Sequence, residues 1–186
     1  MIIIKQVSDF TELEGIKYLQ TENLKKNLSD QEAIEQGFVT AEYNMSLLEK
    51  MHQAGPSVVA KEGEQVVGYA LVTLKSVRYD HELLGYLFNS IDSLEYNGQK
   101  LIDVPYVVVG QLCVQKKYRG LGLVQQIYQY FKKSLEGDFD YCITDVAQDN
   151  PRSLKAHLKA GFNVIETFSY AGSSWDIVLW NWNPIT

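Results

Sequence analysis

The chain has 186 residues, of which 46% are hydrophobic and 12% aromatic, so it can bury one sizeable core, and we expect a single domain over residues 1–186. Its formal net charge of −6 argues against a general nucleic-acid or membrane-surface binder. No apolar run approaches the roughly 18 residues that span a bilayer, and the first residues lack a secretion signal, so we expect a cytoplasmic protein.

The first half of the chain predicts strands alternating with helices. Residues 2–7 form a strand-like run, and two β-rich runs at 57–61 and 65–74, separated by Glu62-Gly63-Glu64, predict an antiparallel hairpin. Three capping patterns predict helices between them. These helices run from Asp9 to about Gln20, from Ser29 to Gly37, and from Thr40 to about Gln53.

Residues 76–103 have a poorer pattern and are interpreted as an inserted excursion rather than a domain. Within them, residues 83–91 predict a helix and Asn97-Gly98 predicts a tight turn.

From residue 104 the order of elements becomes clear. An apolar strand at 106–114 is followed by a glycine-rich bend at Tyr118-Arg119-Gly120-Leu121-Gly122-Leu123, then by an amphipathic helix at 121–136 with Gly137 as its C-cap. Two glycines permit a tight bend, and the free N–H groups at the helix start favour an anion such as phosphate. Arg119 adds a planar cation at the same place.

The C-terminal part predicts a strand at 139–146, a helix opened by Asn150-Pro151 and ended by Gly161, and two strands at 164–168 and 175–180. A loop with Gly172, Ser173 and Ser174 joins the last two strands.

The distribution of charge and the positions of the cysteines indicate which ligands and sites to expect. Residues 116–159 contain eight Lys or Arg against five Asp or Glu, whereas the rest of the chain has nine against eighteen, which suits an anionic cofactor beside a neutral or cationic substrate; ordinary surface charge is the alternative. The two cysteines, Cys113 and Cys142, lie in apolar runs without CxxC spacing, so we expect buried thiols and no metal site.

Two motifs give the chain a resemblance to the GNAT acetyltransferase superfamily. The family's turn has Arg or Gln, two residues, Gly, one residue, then Gly or Ala; here Arg119, Gly122 and Val124 occupy these places, and Val124 is larger than the usual residue. The second motif is an asparagine opening a helix that ends in Gly-Phe eleven residues on, met by Asn150 and Gly161-Phe162.

The resemblance implies an α/β fold with a mixed, mostly antiparallel central sheet, flanking helices and a splayed central strand pair. It also implies acetyl-CoA as cosubstrate, with direct transfer of the acetyl group to a small-molecule or peptide amine in a ternary complex. The implied cofactor-binding residues are Leu112, Cys113, Val114, Arg119, Gly120, Leu121, Gly122, Leu123, Val124 and Asn150. Transfer of another acyl chain, an oxygen acceptor, or a CoA-binding regulatory module without turnover are the alternatives.

His157 lies seven residues after Asn150, where the family commonly has a tyrosine that protonates the departing thiolate. The resemblance therefore implies His157 as a general acid, and a buried histidine without chemistry is the alternative. Where some members have a catalytic glutamate, this chain has Tyr106. The general base is left open among a water chain and four acids, which are Glu42, Asp80, Glu82 and Asp103.

A covalent route through Cys113 activated by His157 is a less favoured mechanism, because a thiol in an apolar strand is normally inert.

Several aromatic residues have either a binding or a packing interpretation. The resemblance implies that Phe38, Tyr43, Tyr79 and Tyr86 lie in segments that line the acceptor groove, so they are candidates for shaping a substrate pocket. Trp175, Trp180 and Trp182 are interpreted as packing residues, with ligand stacking or a homodimer edge as the alternatives.

Overall fold

The computed structural model describes residues 1–183, which form nine strands and six α-helices. The strands are β1 (Ile2–Gln6), β2 (Val58–Glu62), β3 (Gln65–Thr73), β4 (Glu95–Tyr96), β5 (Gln99–Lys100), β6 (Tyr106–Val114), β7 (Tyr141–Ala147), β8 (Asn163–Tyr170) and β9 (Ser173–Asn181). The helices are α1 (Phe10–Asn23), α2 (Asp30–Gln36), α3 (Met45–Ala54), α4 (Glu82–Asp92), α5 (Leu123–Leu135) and α6 (Pro151–Ala160).

One seven-stranded sheet organises the molecule, with strand order β1-β2-β3-β6-β7-β9-β8. Neighbouring strands are antiparallel except β6 and β7, which are parallel, and β4 pairs with β5 in a separate small hairpin. The predicted mixed, mostly antiparallel sheet with flanking helices is therefore confirmed.

The parallel pair β6–β7 separates part of the way along. Only Tyr106, Val107 and Val108 of β6 pair with β7, opposite residues 141–143, and both strands then continue without pairing to each other. The predicted splayed central pair is thus confirmed, and the later part of β6 has a main-chain edge with no strand partner on that side.

A β-bulge in β6 coincides with this separation. Ala70 of β3 lies opposite Leu112, whereas Val72 lies opposite Val109, so two residues of β6, Gly110 and Gln111, oppose one residue of β3. A bulge bends its strand and disrupts the local ladder, so it turns the end of β6 away from β7.

Two apolar layers cover the sheet. On one face, α1, α3 and α4 bury a cluster that includes Ile16, Leu48 and Phe88. On the other face, α5 buries Ile127 and Phe131 against the opposite sides of the same strands. The alternation of strand side chains between two apolar layers explains why the central strands read as nearly continuous hydrophobic runs.

The excursion at 76–103 forms α4 and the β4–β5 hairpin rather than an irregular loop. Its apolar side chains join the core on the α1 side. The fully buried ones are Leu84, Leu87, Phe88, Ile91 and Leu101.

Three boundaries predicted from the sequence are wrong. Helix α3 begins at Met45 with Asn44, not Thr40, as its cap, because the Asn44 side chain accepts from Leu47 N at 2.9 Å and residues 40–43 lie outside the helix. Helix α5 ends at Leu135, and its C-cap is Glu136 rather than the predicted Gly137. The last two strands meet at a tight Ala171-Gly172 turn, with φ of 50° and 78°, and the predicted loop residues Ser173 and Ser174 belong to β9.

Among residues 1–183, no helix combines the length and apolarity needed to cross a membrane.

Gly110 offers a direct test of the bulge. A Cβ added there would lie 2.2 Å from Thr73 Oγ1, so Gly110→Ala forces β3 and β6 apart and should lower the free energy of unfolding by about 1–3 kcal/mol. Gly137→Ala is the matched control, because an added Cβ there meets no atom within 4 Å. Urea unfolding measures both; equal stabilities for the two variants would contradict the close approach.

Candidate functional site

The glycine-rich bend leaves its backbone open. Gly120 and Gly122 adopt the left-handed region, with φ of 79° and 76°, which favours glycine. A Cβ added at either position meets no atom within 4 Å, so the space beside this backbone is empty of protein.

The bend also exposes a run of unused main-chain donors. Within residues 1–183, no hydrogen bond accepts the N–H groups of residues 120–125, and the first acceptor used inside α5 is Gly122 O, which accepts from Gln126 N at 3.2 Å. The first turn of α5 contains no acidic residue. Several N–H groups at the positive end of a helix form an anion-binding site, as the sequence predicted for phosphate.

A cavity of about 440 Å³ lies against this bend. Its walls are the end of β6, the bend itself, residues 36–39 and one side of α6. Of the ten predicted cofactor-binding residues, nine line the cavity; the exception, Leu121, has a 68% exposed side chain. The predicted cofactor residues therefore lie together around one opening, and their contacts with a cofactor stay a prediction.

Helix α6 contributes positive charge to the same cavity. Arg152, Lys155 and Lys159 line it from successive turns. Neither lysine forms an ion pair with any of residues 1–183. The basic bias seen in residues 116–159 is thus partly concentrated here, where it favours an anionic ligand.

Arg119 has a role that the sequence did not predict. Its guanidinium donates to Val114 O at 2.8 Å, to Gln36 O at 2.7 Å and to Asn23 Oδ1 at 2.5 Å. Burial lowers the pKa of the guanidinium from its usual value. The side chain therefore ties α1 and α2 to the end of β6 and fixes the wall of the cavity, and a contact with phosphate stays a prediction.

A second, smaller cavity of about 60 Å³ lies in the gap between β6 and β7. It adjoins the larger cavity, because five residues line both. They are Phe38, Val39, Leu112, Asn150 and Ser153. A ligand lying along the free edge of β6 could therefore extend from the bend into the gap.

Asp145 of β7 supplies a carboxylate to the small cavity. Its Oδ2 is buried without a hydrogen-bond partner in the described residues, and burial raises the pKa of the carboxyl to about 7. A carboxyl that titrates near neutral pH suits a general base. The sequence analysis did not find Asp145, although an acid in an otherwise apolar strand was the available signal.

His157, a residue of α6, is buried and lines the small cavity. Its Nδ1 lies 2.8 Å from Ser153 O, and because a carbonyl only accepts, Nδ1 carries the proton. Burial lowers the pKa of the imidazole to about 4. At neutral pH the ring is therefore neutral with an unprotonated Nε2, which weighs against the predicted general acid; the role of His157 stays a prediction.

Asn150 caps α6 and joins it to the neighbouring loop. Its Oδ1 accepts from Ser153 N at 3.2 Å, and its Nδ2 donates to Phe38 O at 2.9 Å. Both contacts hold in place two segments that line the cavities.

Cys113 is buried and burial raises the pKa of its thiol to about 12. A protonated thiol is a poor nucleophile, which weighs against the covalent route. Among residues 1–183 there is no group of three or more His, Cys, Asp or Glu arranged to hold a metal ion.

The other candidates divide between cavity and surface. Four acids were candidates for the general base: Glu42, Asp80, Glu82 and Asp103. None of them is among the described residues that line the two cavities, and Glu42 and Asp80 form ion pairs with lysines.

Among the aromatic candidates, Phe38 and Trp175 line the small cavity. Tyr43 is buried and donates to Gly110 O at 2.9 Å, whereas Tyr79 and Tyr86 are exposed. Trp180 and Trp182 pack against each other on the α5 side of the sheet.

Comparisons with known proteins agree with this geometry. A model of the acetyltransferase (GNAT) family matches residues 26–162, whereas no curated protein matches the chain.

Three solved structures have the same fold at low sequence identity. A GNAT-family acetyltransferase from Streptococcus agalactiae is 20% identical with a TM-score of 0.66, covering 98% of this chain and 96% of that one. The protein yncA from Salmonella typhimurium, solved with its cofactor acetyl-CoA, is 14% identical with a TM-score of 0.63, covering 99% and 95%. A chain of the NatC complex bound to Gag peptide and CoA is 14% identical with a TM-score of 0.65, covering 98% and 99%.

The matched family model extends over the bend, the gap between β6 and β7, and α6. It also agrees with acetyl-CoA as the predicted cosubstrate. On this match, the chain belongs to the GNAT acetyltransferase family.

Proposed function

We propose that the protein is an acetyl-CoA-dependent N-acetyltransferase that transfers the acetyl group directly to an amine in a ternary complex. One observation carries the proposal: the cavity beside the free N–H groups of residues 120–125 adjoins a small cavity that contains the Asp145 carboxylate. An anion-binding end and a proton-accepting end are thus joined by the unpaired edge of one strand.

In this proposal, acetyl-CoA binds with its diphosphate at the bend. The N–H groups of residues 120–125 donate to the phosphate oxygens, and Lys155 and Lys159 attract the anionic cofactor. The extended arm follows the main chain of Leu112 and Val114, and the thioester reaches the small cavity near Leu112, which lines both cavities.

Asp145 removes a proton from the bound ammonium group, and the neutral amine then attacks the thioester carbonyl carbon. The nitrogen–carbon bond forms, the nitrogen releases its second proton to solvent, the carbon–sulfur bond breaks, and CoA leaves as a thiolate that takes up a proton. Asp145 then returns its proton to solvent. With an ordinary thiol pKa of about 8.5, such a thiolate is only weakly basic, so solvent can supply this proton.

The acceptor in this proposal is an amine. Both a small-molecule amine and a peptide amine fit the chemistry of the site, and the NatC structure with a bound peptide supports the second. Release of CoA that depends on an added amine tests the function; CoA binding without acyl transfer to any amine or alcohol would instead favour a regulatory module.

Asp145→Asn removes the proposed base. We expect kcat to fall by about 100-fold to 10,000-fold, and we expect wild-type kcat/KM to decrease as the pH falls through about 7, where the carboxylate of the free enzyme becomes protonated. Asp149→Asn is the matched control, because Asp149 is exposed and pairs with Lys25. Initial rates of CoA release between pH 5.5 and 9 measure both; a similar effect of the two substitutions would exclude Asp145 as the base.

His157→Asn tests the general acid. The asparagine amide can replace the Nδ1–H that donates to Ser153 O, but it has no group in place of Nε2. Because the buried ring is neutral, we expect kcat to stay within about tenfold of the wild-type value. A loss of kcat of about 100-fold or more would support proton donation by His157.

Arg119→Ala tests whether Arg119 acts through its hydrogen bonds to neighbouring segments or only through its charge. Losing three hydrogen bonds should lower the melting temperature and raise the KM for acetyl-CoA, because the wall beside the bend loosens. Lys117→Ala removes an equal charge from an exposed position nearby and should leave both quantities close to wild type. Equal increases in KM for the two variants would show that net charge alone matters.

A further inference from the structure

Two residues that line the small cavity each have a buried polar atom without a partner in the described part of the chain. These atoms are Asp145 Oδ2, an acceptor, and Trp175 Nε1–H, a donor. Leaving such groups unpaired costs stability, so their presence together in one cavity indicates a ligand that satisfies them.

Two other buried polar side chains of this cavity are already engaged, whereas His157 keeps an unprotonated Nε2 that can only accept. Gln111 bonds Gln20, Tyr69 and Ala41, and Thr144 donates to Val109 O at 2.7 Å. These groups are therefore not free to recognise a substrate without breaking the packing beneath the bulge.

Strand register places the two unpaired groups on the same face of the sheet. Trp175 of β9 lies opposite Ala147 of β7, and Asp145 is two residues before Ala147 on the same strand. Side chains two residues apart in a strand point to the same side, so Asp145 and Trp175 are diagonal neighbours, typically about 7–8 Å apart between backbones. One small molecule can contact both.

The size of the cavity limits what enters it. At about 60 Å³ it holds only a few heavy atoms, so the reacting head of the substrate enters and the remainder stays outside.

We infer that the acceptor is an α-amino carbonyl compound, such as the amino terminus of a peptide or an amino-acid amide. Its nitrogen donates to the Asp145 carboxylate, and its adjacent carbonyl oxygen accepts from Trp175 Nε1–H. The inference rests on the proposed acetyl transfer and specifies which amine is acetylated. An amine without the carbonyl leaves the indole N–H unpaired, which should lower kcat/KM by roughly tenfold to a hundredfold.

The experiment compares alaninamide with 2-aminobutane, which has an ethyl group in place of the carboxamide. Acetylation rates are measured with wild type, Trp175→Phe and Trp182→Phe, and kcat/KM is expressed per unprotonated amine. Trp182 is the matched control, because its Nε1 is also buried without a partner in residues 1–183 but lies on the α5 side of the sheet.

We expect wild type and Trp182→Phe to prefer alaninamide by about tenfold or more, and Trp175→Phe to lose most of this preference. Equal use of the two amines by wild type would overturn the inference while leaving acetyl transfer intact. An equal loss of kcat/KM for both amines in Trp175→Phe, or the same change of preference in Trp182→Phe, would also overturn it. Transfer to neither amine, nor to a wider panel of amines, would overturn the proposed function together with the inference.

Discussion

The site depends on an interruption of main-chain hydrogen bonding between β6 and β7. The two strands pair over three residues only, and side chains then take the place of the missing strand contacts: Thr144 donates to Val109 O, and Tyr43 donates to Gly110 O. These bonds satisfy carbonyl groups of β6 near the point of separation without closing the gap. The gap can therefore persist inside a well-packed sheet and remain available to a ligand.

A buried polar network fixes the width of the gap from the α1 side. Gln111, in the bulge, accepts from Tyr69 at 2.6 Å and from Gln20 at 3.0 Å, and donates to Ala41 O at 2.7 Å. Helix α1, strand β3 and the segment before α3 are thus joined at one side chain. Arg119 has a corresponding role at Val114, the last residue of β6, so the unpaired part of the strand is held at the bulge and at its C-terminal end.

Features encoded by neighbouring residues were predictable from the sequence. The bend needs glycine at two positions with positive φ, and the start of α6 needs an acceptor side chain followed by proline; both signals lie within a few residues of each other. The positions of most strands along the chain followed from hydrophobic runs, whereas the fold and the cofactor-binding residues were implied by the resemblance that these two motifs carry.

Features that depend on distant segments were not predictable. Thr40 has a capping side chain, but Ala41 O accepts from Gln111 and Tyr43 N donates to Gln20, both of which lie far away in sequence, and Asn44 is the cap. The raised pKa of Asp145 arises from burial in the gap, and the internal bonds of Arg119 depend on where α1 and α2 end. No local pattern reports these contacts.

The charges and cavities give the molecule two chemically different ends joined by one strand. The bend and α6 present main-chain donors and cations, whereas the gap presents a buried carboxylate. In the proposed acetyl transfer, the cationic end holds the cofactor and the carboxylate of raised pKa accepts a proton from the amine.

Amide hydrogen exchange of the wild-type protein with and without CoA tests this account most directly. If the diphosphate of the cofactor lies at the bend, CoA should slow exchange at residues 120–125, whose main-chain N–H groups have no acceptor among the described residues, and leave the distant strand β1 unchanged. Absence of protection in residues 120–125 at saturating CoA, or protection confined to another part of the molecule, would contradict it.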